Sequence, residues 1–136
     1  MPSIRARSAH RGPEFTESRN VPEKLLASKY RRQMWQKAKR VIETVEKMLE
    51  EILPVSSIYV LGGFTTGKKR PADVDVAVLV KSKERRHAKW RFDVSIDPVD
   101  LSIFRDNPLG NRILEETDRI VRRKYKLKNS TLIRLK

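Results

Sequence analysis

Seven residues, Val74-Asp75-Val76-Ala77-Val78-Leu79-Val80, form the most hydrophobic stretch of the chain and constrain its fold more than any other feature. Apart from Asp75 the run is apolar and rich in valine, so it reads as a central strand buried on both faces. Such a strand needs neighbours, and the sequence offers them. Ser57 to Leu61 is a short β-branched run that stops at Gly62-Gly63. Val99 to Phe104 reads as another strand, and Arg91 to Ile96 as a short one before the Asp97-Pro98 break.

Helical periodicity surrounds these strands. Leu26, Tyr30, Met34, Ala38, Val41, Ile42, Val45, Met48, Leu49 and Ile52 recur at three- and four-residue steps between Pro22 and Pro54. They predict an amphipathic helix of roughly 25 to 30 residues, or two helices broken near Ser28. Asn111 to Val121 predicts a second helix through Ile113, Leu114, Thr117, Ile120 and Val121. With 136 residues and 38% of them hydrophobic, one modest core is available and a second is not. The expected fold is α+β, a small mixed β-sheet with helices packed mainly on one face. Residues 1–22 carry Arg5, Arg7, Arg11 and Arg19 with almost nothing to bury, and read as a basic extended arm, disordered unless bound. The domain then spans 23–136, its last ~12 residues alternating apolar and basic side chains as an edge strand or basic tail.

Several function classes are excluded or disfavoured at this level. The absence of cysteine removes disulfides, thiolate zinc sites and cysteine nucleophiles. No stretch approaches the ~18 to 20 apolar residues of a membrane span, and no apolar block follows the N-terminal arginines as in a secretory signal. A cytoplasmic protein is the expectation. Thirty-one Lys and Arg against seventeen Asp and Glu leave a formal charge of +14, a field that attracts polyanions. The cations cluster at Lys24 to Arg40, Lys81 to Arg91 and Arg119 to Lys136. Arg31, Arg32, Lys37, Arg85, Arg86, Arg122 and Arg123 are the candidate nucleic-acid contacts, with Trp35, Trp90 and Tyr125 available to stack on bases. Charged outer faces, with those aromatics anchored in the core, are the competing reading.

The acids carry the sharper signal. Side chains alternate along a strand, so Asp73 and Asp75 project to one face while Val74 and Val76 take the other. Two carboxylates ~6.5 to 7 Å apart on one strand repel each other, and divalent cations reward that placement. Asp100 and Ser102 share a face of the third strand, opposite Val99, Leu101 and Ile103. Three acids from two strands can therefore converge next to a double-glycine turn. Solvated acids paired with Lys68 or Arg70 are the plain alternative. Asp93 is the fallback third ligand, and Asp97, preceding proline, reads as a turn acid.

Leu61-Gly62-Gly63, Asp73-Val74-Asp75-Val76 and Val99-Asp100-Leu101 together resemble the signature of the DNA polymerase β-like nucleotidyltransferases, in particular the minimal nucleotidyltransferases of prokaryotes. The resemblance covers roughly residues 38 to 122. It implies that Gly62 and Gly63 let the backbone approach a nucleoside triphosphate, with the turn from Phe64 to Gly67, including Thr65 and Thr66, and Lys68 beside it. It implies that Asp73, Asp75 and Asp100 hold two Mg²⁺ or Mn²⁺ ions and serve as the catalytic acids. The implied reaction moves a nucleoside monophosphate, AMP from ATP, to a hydroxyl of an RNA or protein acceptor. A helical partner of the HEPN type is also implied. Two departures stand out: Gly63 occupies a place where such enzymes often carry Ser, and Thr66 one where Arg is common. An RNA- or ribosome-associated basic binding protein on an inactive version of the fold is the alternative.

Other motifs are weaker. Gly62 to Lys69 nearly spells a P-loop, but Lys69 stands where a hydroxyl should reach Mg²⁺, and Pro71 falls where the following helix should begin. His10 and His87 lack a paired ligand and read as surface residues. Ser102 has no His partner for a hydrolase triad.

Overall fold

The computed structural model describes residues 14–81 and 91–136. Its elements are β1 (Glu14–Phe15), a 3-10 turn (Glu23–Leu26), α1 (Lys29–Glu50), β2 (Val55–Leu61), a 3-10 turn (Gly62–Phe64), β3 (Val74–Val80), β4 (Arg91–Ile96), β5 (Val99–Arg105), α2 (Pro108–Tyr125) and β6 (Ile133–Arg134). The strands make one six-stranded mixed sheet in the order β1-β6-β2-β3-β5-β4. β3 runs parallel to β5, while β2 and β4 pair antiparallel to β3 and β5 respectively.

The long helix starts at Lys29 because Ser28 leaves the helical conformation and its hydroxyl accepts from the Arg31 amide at 3.1 Å. Residues Glu23–Leu26, within the stretch expected as helical, make a 3-10 turn ahead of that cap, so the break expected near Ser28 is present. Asn107 caps α2 in the same way, accepting from the Gly110 amide at 2.7 Å. At its other end α2 passes Val121 and reaches Tyr125, where Lys126 takes the left-handed conformation that stops a helix.

The helices lie on opposite faces of the sheet, not mainly on one. Trp35, Ala38 and Ile42 of α1 pack on Ile58, Val60, Val76, Val78 and Leu101. Ile113 and Leu114 of α2 pack on Tyr59, Leu61, Ala77, Leu79 and Phe104. The reason lies in β3: its apolar residues point both ways, and each large aliphatic side chain removed from water contributes about 1.5–3 kcal/mol. A single helical layer would leave half of that surface wet.

Residues 14–22 and the C-terminal stretch differ from the sequence expectation. From Glu14 the stretch expected as an arm is packed, with β1 parallel to β6 and Val21 buried in the core. Residues 1–13 lie outside the described residues. The C-terminal stretch is neither an edge nor a tail: β6 lies between β1 and β2, and Leu132, Ile133 and Leu135 are buried. Lys136 reaches Glu46 and Glu50 of α1 at 3.3 and 3.0 Å. No helix among the described residues is long and apolar enough to cross a membrane.

Candidate metal centre and the groove around it

The parallel pairing of β3 and β5 sets Asp75 directly beside Asp100, and Asp73 lies one residue before β3 begins. Asp75 shares its side of the sheet with Ala77 and Leu79, and Asp100 shares its side with Phe104, so both face α2. Each of the three carboxylates offers an oxygen, and these oxygens lie within 4.8 Å of one another. Oxygens at that spacing could share a cation.

Electrostatics records the strain of this placement. Burial pushes the Asp75 carboxyl up to about 6, aided by the charges of Asp73 and then Asp100. Asp73 is also raised, first by burial, then by the charge and hydrogen bond of Asp100, with Lys68 pulling the other way. Asp100, the most exposed of the three, accepts a 2.6 Å hydrogen bond from Ser95 across the β4–β5 ladder. The loop makes room for the acids. Gly62 sits at φ +82°, and a Cβ added there would fall 2.1 Å from an oxygen of Asp75. Gly62 is thus required by the carboxylate as well as by the turn. Gly63 is not: a Cβ there would meet only Lys68 and the Tyr125 hydroxyl, both at 3.5 Å.

Two chambers flank the acids and share Gly62, Asp75 and Val121, so they form one groove beneath α2. The smaller, about 220 Å³, is lined by Gly63, Lys68, Asp73, Lys124 and Tyr125. It places two lysines and a phenol beside the acids. The larger, about 420 Å³, has an apolar floor of Leu61, Ala77 and Phe104 under Leu114 and a polar wall from β4 and β5. In that wall Asp93 accepts from Arg91 at 2.9 Å and from Ser102 at 2.6 Å, so it is engaged outside the triad. Ser102 donates its hydroxyl to the Asp93 carboxylate. Asp97 lies exposed in the turn before β5.

The remaining sequence candidates divide. Gly62, Gly63 and Lys68 line the groove, whereas Thr65 and Thr66 line neither chamber and donate their hydroxyls to the Gly62 and Gly63 carbonyls at 3.1 and 2.8 Å. Arg31 is not a surface contact: it is 5% exposed and bonds main-chain carbonyls. Arg122 is half-buried and paired with Asp118 at 3.2 Å. Trp35 is core, stacked on Phe64 at 6.0 Å between ring centroids. Arg32, Lys37 and Arg123 are exposed. Arg85, Arg86, His87 and Trp90, like His10, lie outside the described residues. Tyr125, a base-stacking candidate from the sequence, lines the groove, as does Lys124, which the sequence did not single out. Continuing the stripe Leu114, Thr117, Val121 by three or four residues would have reached both, had α2 not been ended at Val121.

Fold and site thus define a mixed α+β domain with a cation-competent acid triad at the head of two parallel strands. The chain belongs to a family of unknown function, DUF6932, whose model matches residues 12–129. No curated protein matches it.

Proposed function

We propose that this chain is a nucleotidyltransferase of the DNA polymerase β type, moving AMP from ATP to a hydroxyl of an RNA or protein acceptor. One observation carries the reading: Asp75 and Asp100 stand in register on parallel strands, Asp73 joins them, and the Gly62-Gly63 turn lines one chamber with Asp73 and Asp75. The acids suit divalent metal, because their oxygens are within sharing distance and burial with the charges of Asp73 and Asp100 raises the Asp75 carboxyl, which a cation would relieve. Bound there, two Mg²⁺ or Mn²⁺ ions would neutralise charge on the entering and leaving oxygens.

The chain's own residues do the rest. Lys68 and Lys124 supply positive charge in the smaller chamber, where the β- and γ-phosphates would lie. Gly63, without a side chain, lets a phosphate approach the turn. Asp100 opens to the larger chamber, which suits the acceptor. There the acceptor oxygen bonds to the α-phosphorus as the α–β bridging P–O bond breaks; pyrophosphate leaves and the hydroxyl proton passes to solvent. Alignment of the two partners is the main contribution of such a site.

The test is transfer of label from α-labelled ATP, with Mg²⁺, to RNA or to a protein acceptor, a HEPN-type helical partner included. Label is expected with the native chain and its loss with Asp73→Ala. A second reading, an RNA- or ribosome-associated basic protein, is favoured by the exposed Arg32, Lys37 and Arg123 within a +14 chain. RNA binding without any transfer, unchanged by Asp73→Ala, would establish it instead.

A further inference from the structure

The loop from Gly62 to Asp73 is held from behind by the first turn of α1. Arg31 donates from Nη1 to the Phe64 carbonyl at 2.7 Å and to the Leu25 carbonyl at 3.1 Å. Its Nε reaches the Lys68 carbonyl at 3.0 Å, with Nη2 on the same oxygen. The guanidinium also lies over the Phe64 ring, 4.7 Å from its centroid. One residue earlier, the Tyr30 hydroxyl donates to the Pro71 carbonyl at 2.8 Å, and Arg70 lies over the Tyr30 ring at 4.9 Å. Thr65 and Thr66 meanwhile engage the carbonyls of Gly62 and Gly63.

Five loop carbonyls, those of Gly62, Gly63, Phe64, Lys68 and Pro71, are therefore each committed to a donor of the protein. This matters for an anion. Carbonyl oxygens turned toward a phosphate repel it, and a loop that must first reorganise them loses affinity to the ordering. A buried cation bonded to neutral carbonyls also places a fixed positive charge under the turn. Simple anchoring of α1 needs none of this, because Trp35, Ala38 and Ile42 already dock the helix.

We propose that Arg31, seconded by Tyr30, is a positioning residue that locks the β2–β3 loop in an anion-receiving form and so sets its affinity for polyphosphate. The inference rests on the nucleotidyltransferase reading for the identity of the ligand, but not for the lock. Lysine keeps the charge yet lacks the fork that spans Phe64 and Lys68, so Arg31→Lys separates charge from geometry. Tyr30→Phe removes one hydroxyl from the loop while leaving the ring, and serves should the arginine variant fail to fold.

The experiment measures three things on native protein, Arg31→Lys and Tyr30→Phe: Mn²⁺ affinity, affinity for a non-hydrolysable ATP analogue, and amide exchange over residues 64–70. The expected result is Mn²⁺ affinity unchanged, nucleotide affinity weaker by about tenfold for Arg31→Lys and about threefold for Tyr30→Phe, and faster exchange in the loop. A mere stability anchor would lower the melting temperature without moving nucleotide affinity in the folded variants, and that outcome overturns the proposal. If the native chain binds no ATP analogue, the transferase reading fails, and inorganic tripolyphosphate becomes the probe. The lock then stands if the variants weaken tripolyphosphate binding, and falls if they do not or if the native chain binds none.

Discussion

Asp75 ionises only near pH 6 because its carboxylate is buried beside two others, and the sign of its effect on stability follows. Its value in the folded chain is raised above the ordinary ~3.9 of an unfolded aspartate, so between about pH 4 and 6 the folded state holds more protons. The stabilisation is complete below pH 4 and lost as pH rises through 6. With allowance for partial solvent exposure, the loss is about 1–2 kcal/mol for metal-free protein. Urea unfolding in chelator at pH 4.5 and 7.5 measures it, and Asp75→Asn is expected to remove most of the difference. Mn²⁺ should reverse the trend, raising the melting temperature more at pH 7.5 than at pH 5, where protons compete for the acids. The two glycines make a second contrast. Gly62→Ala meets Asp75 and the φ of +82°, and is expected to cost at least about 1–2 kcal/mol from the backbone conformation alone. Gly63→Ser has room and should leave the melting temperature unchanged.

At the scale of elements, the site depends on how α2 is fixed over the sheet. Asp118 of α2 is 5% exposed and accepts from the Thr131 amide at 2.8 Å and its hydroxyl at 2.7 Å, while pairing with Arg122. This staple joins α2 to the segment that leads into β6, beside β2. Asp118→Ala would leave the buried Thr131 donors without an acceptor, and a loss of about 2–3 kcal/mol is expected in urea unfolding. The same elements show what was legible in advance. β2 and β3 followed from β-branched and apolar runs, β2 also from the glycines that end it, and the shared face of Asp73 and Asp75 from alternation along a strand, all local signals. Helix sidedness did not, although the apolar run of β3 demanded cover on both faces. The role of Arg31 was hidden too, because a cation in a basic helix looks solvated until the carbonyls around it are placed. The course of the C-terminal stretch was settled by Asp118 and Lys136, whose partners are distant in sequence.

On the scale of the whole molecule, charge and chemistry are distributed separately. The net +14 is spread over exposed cations such as Arg32, Lys37 and Arg123, while the three clustered acids sit between two chambers under α2. The chain is net positive, and the three acids form a local negative centre that a cation or a proton would relieve. A basic scaffold alone would not need Gly62 to vacate space for Asp75. The most direct measurement is anomalous diffraction from crystals grown with Mn²⁺ and a non-hydrolysable ATP analogue. Manganese peaks bounded by Asp73, Asp75 and Asp100, with the triphosphate reaching Lys68 and Lys124, are the expected result. Nucleotide bound elsewhere, or manganese absent from the three acids, would contradict the account.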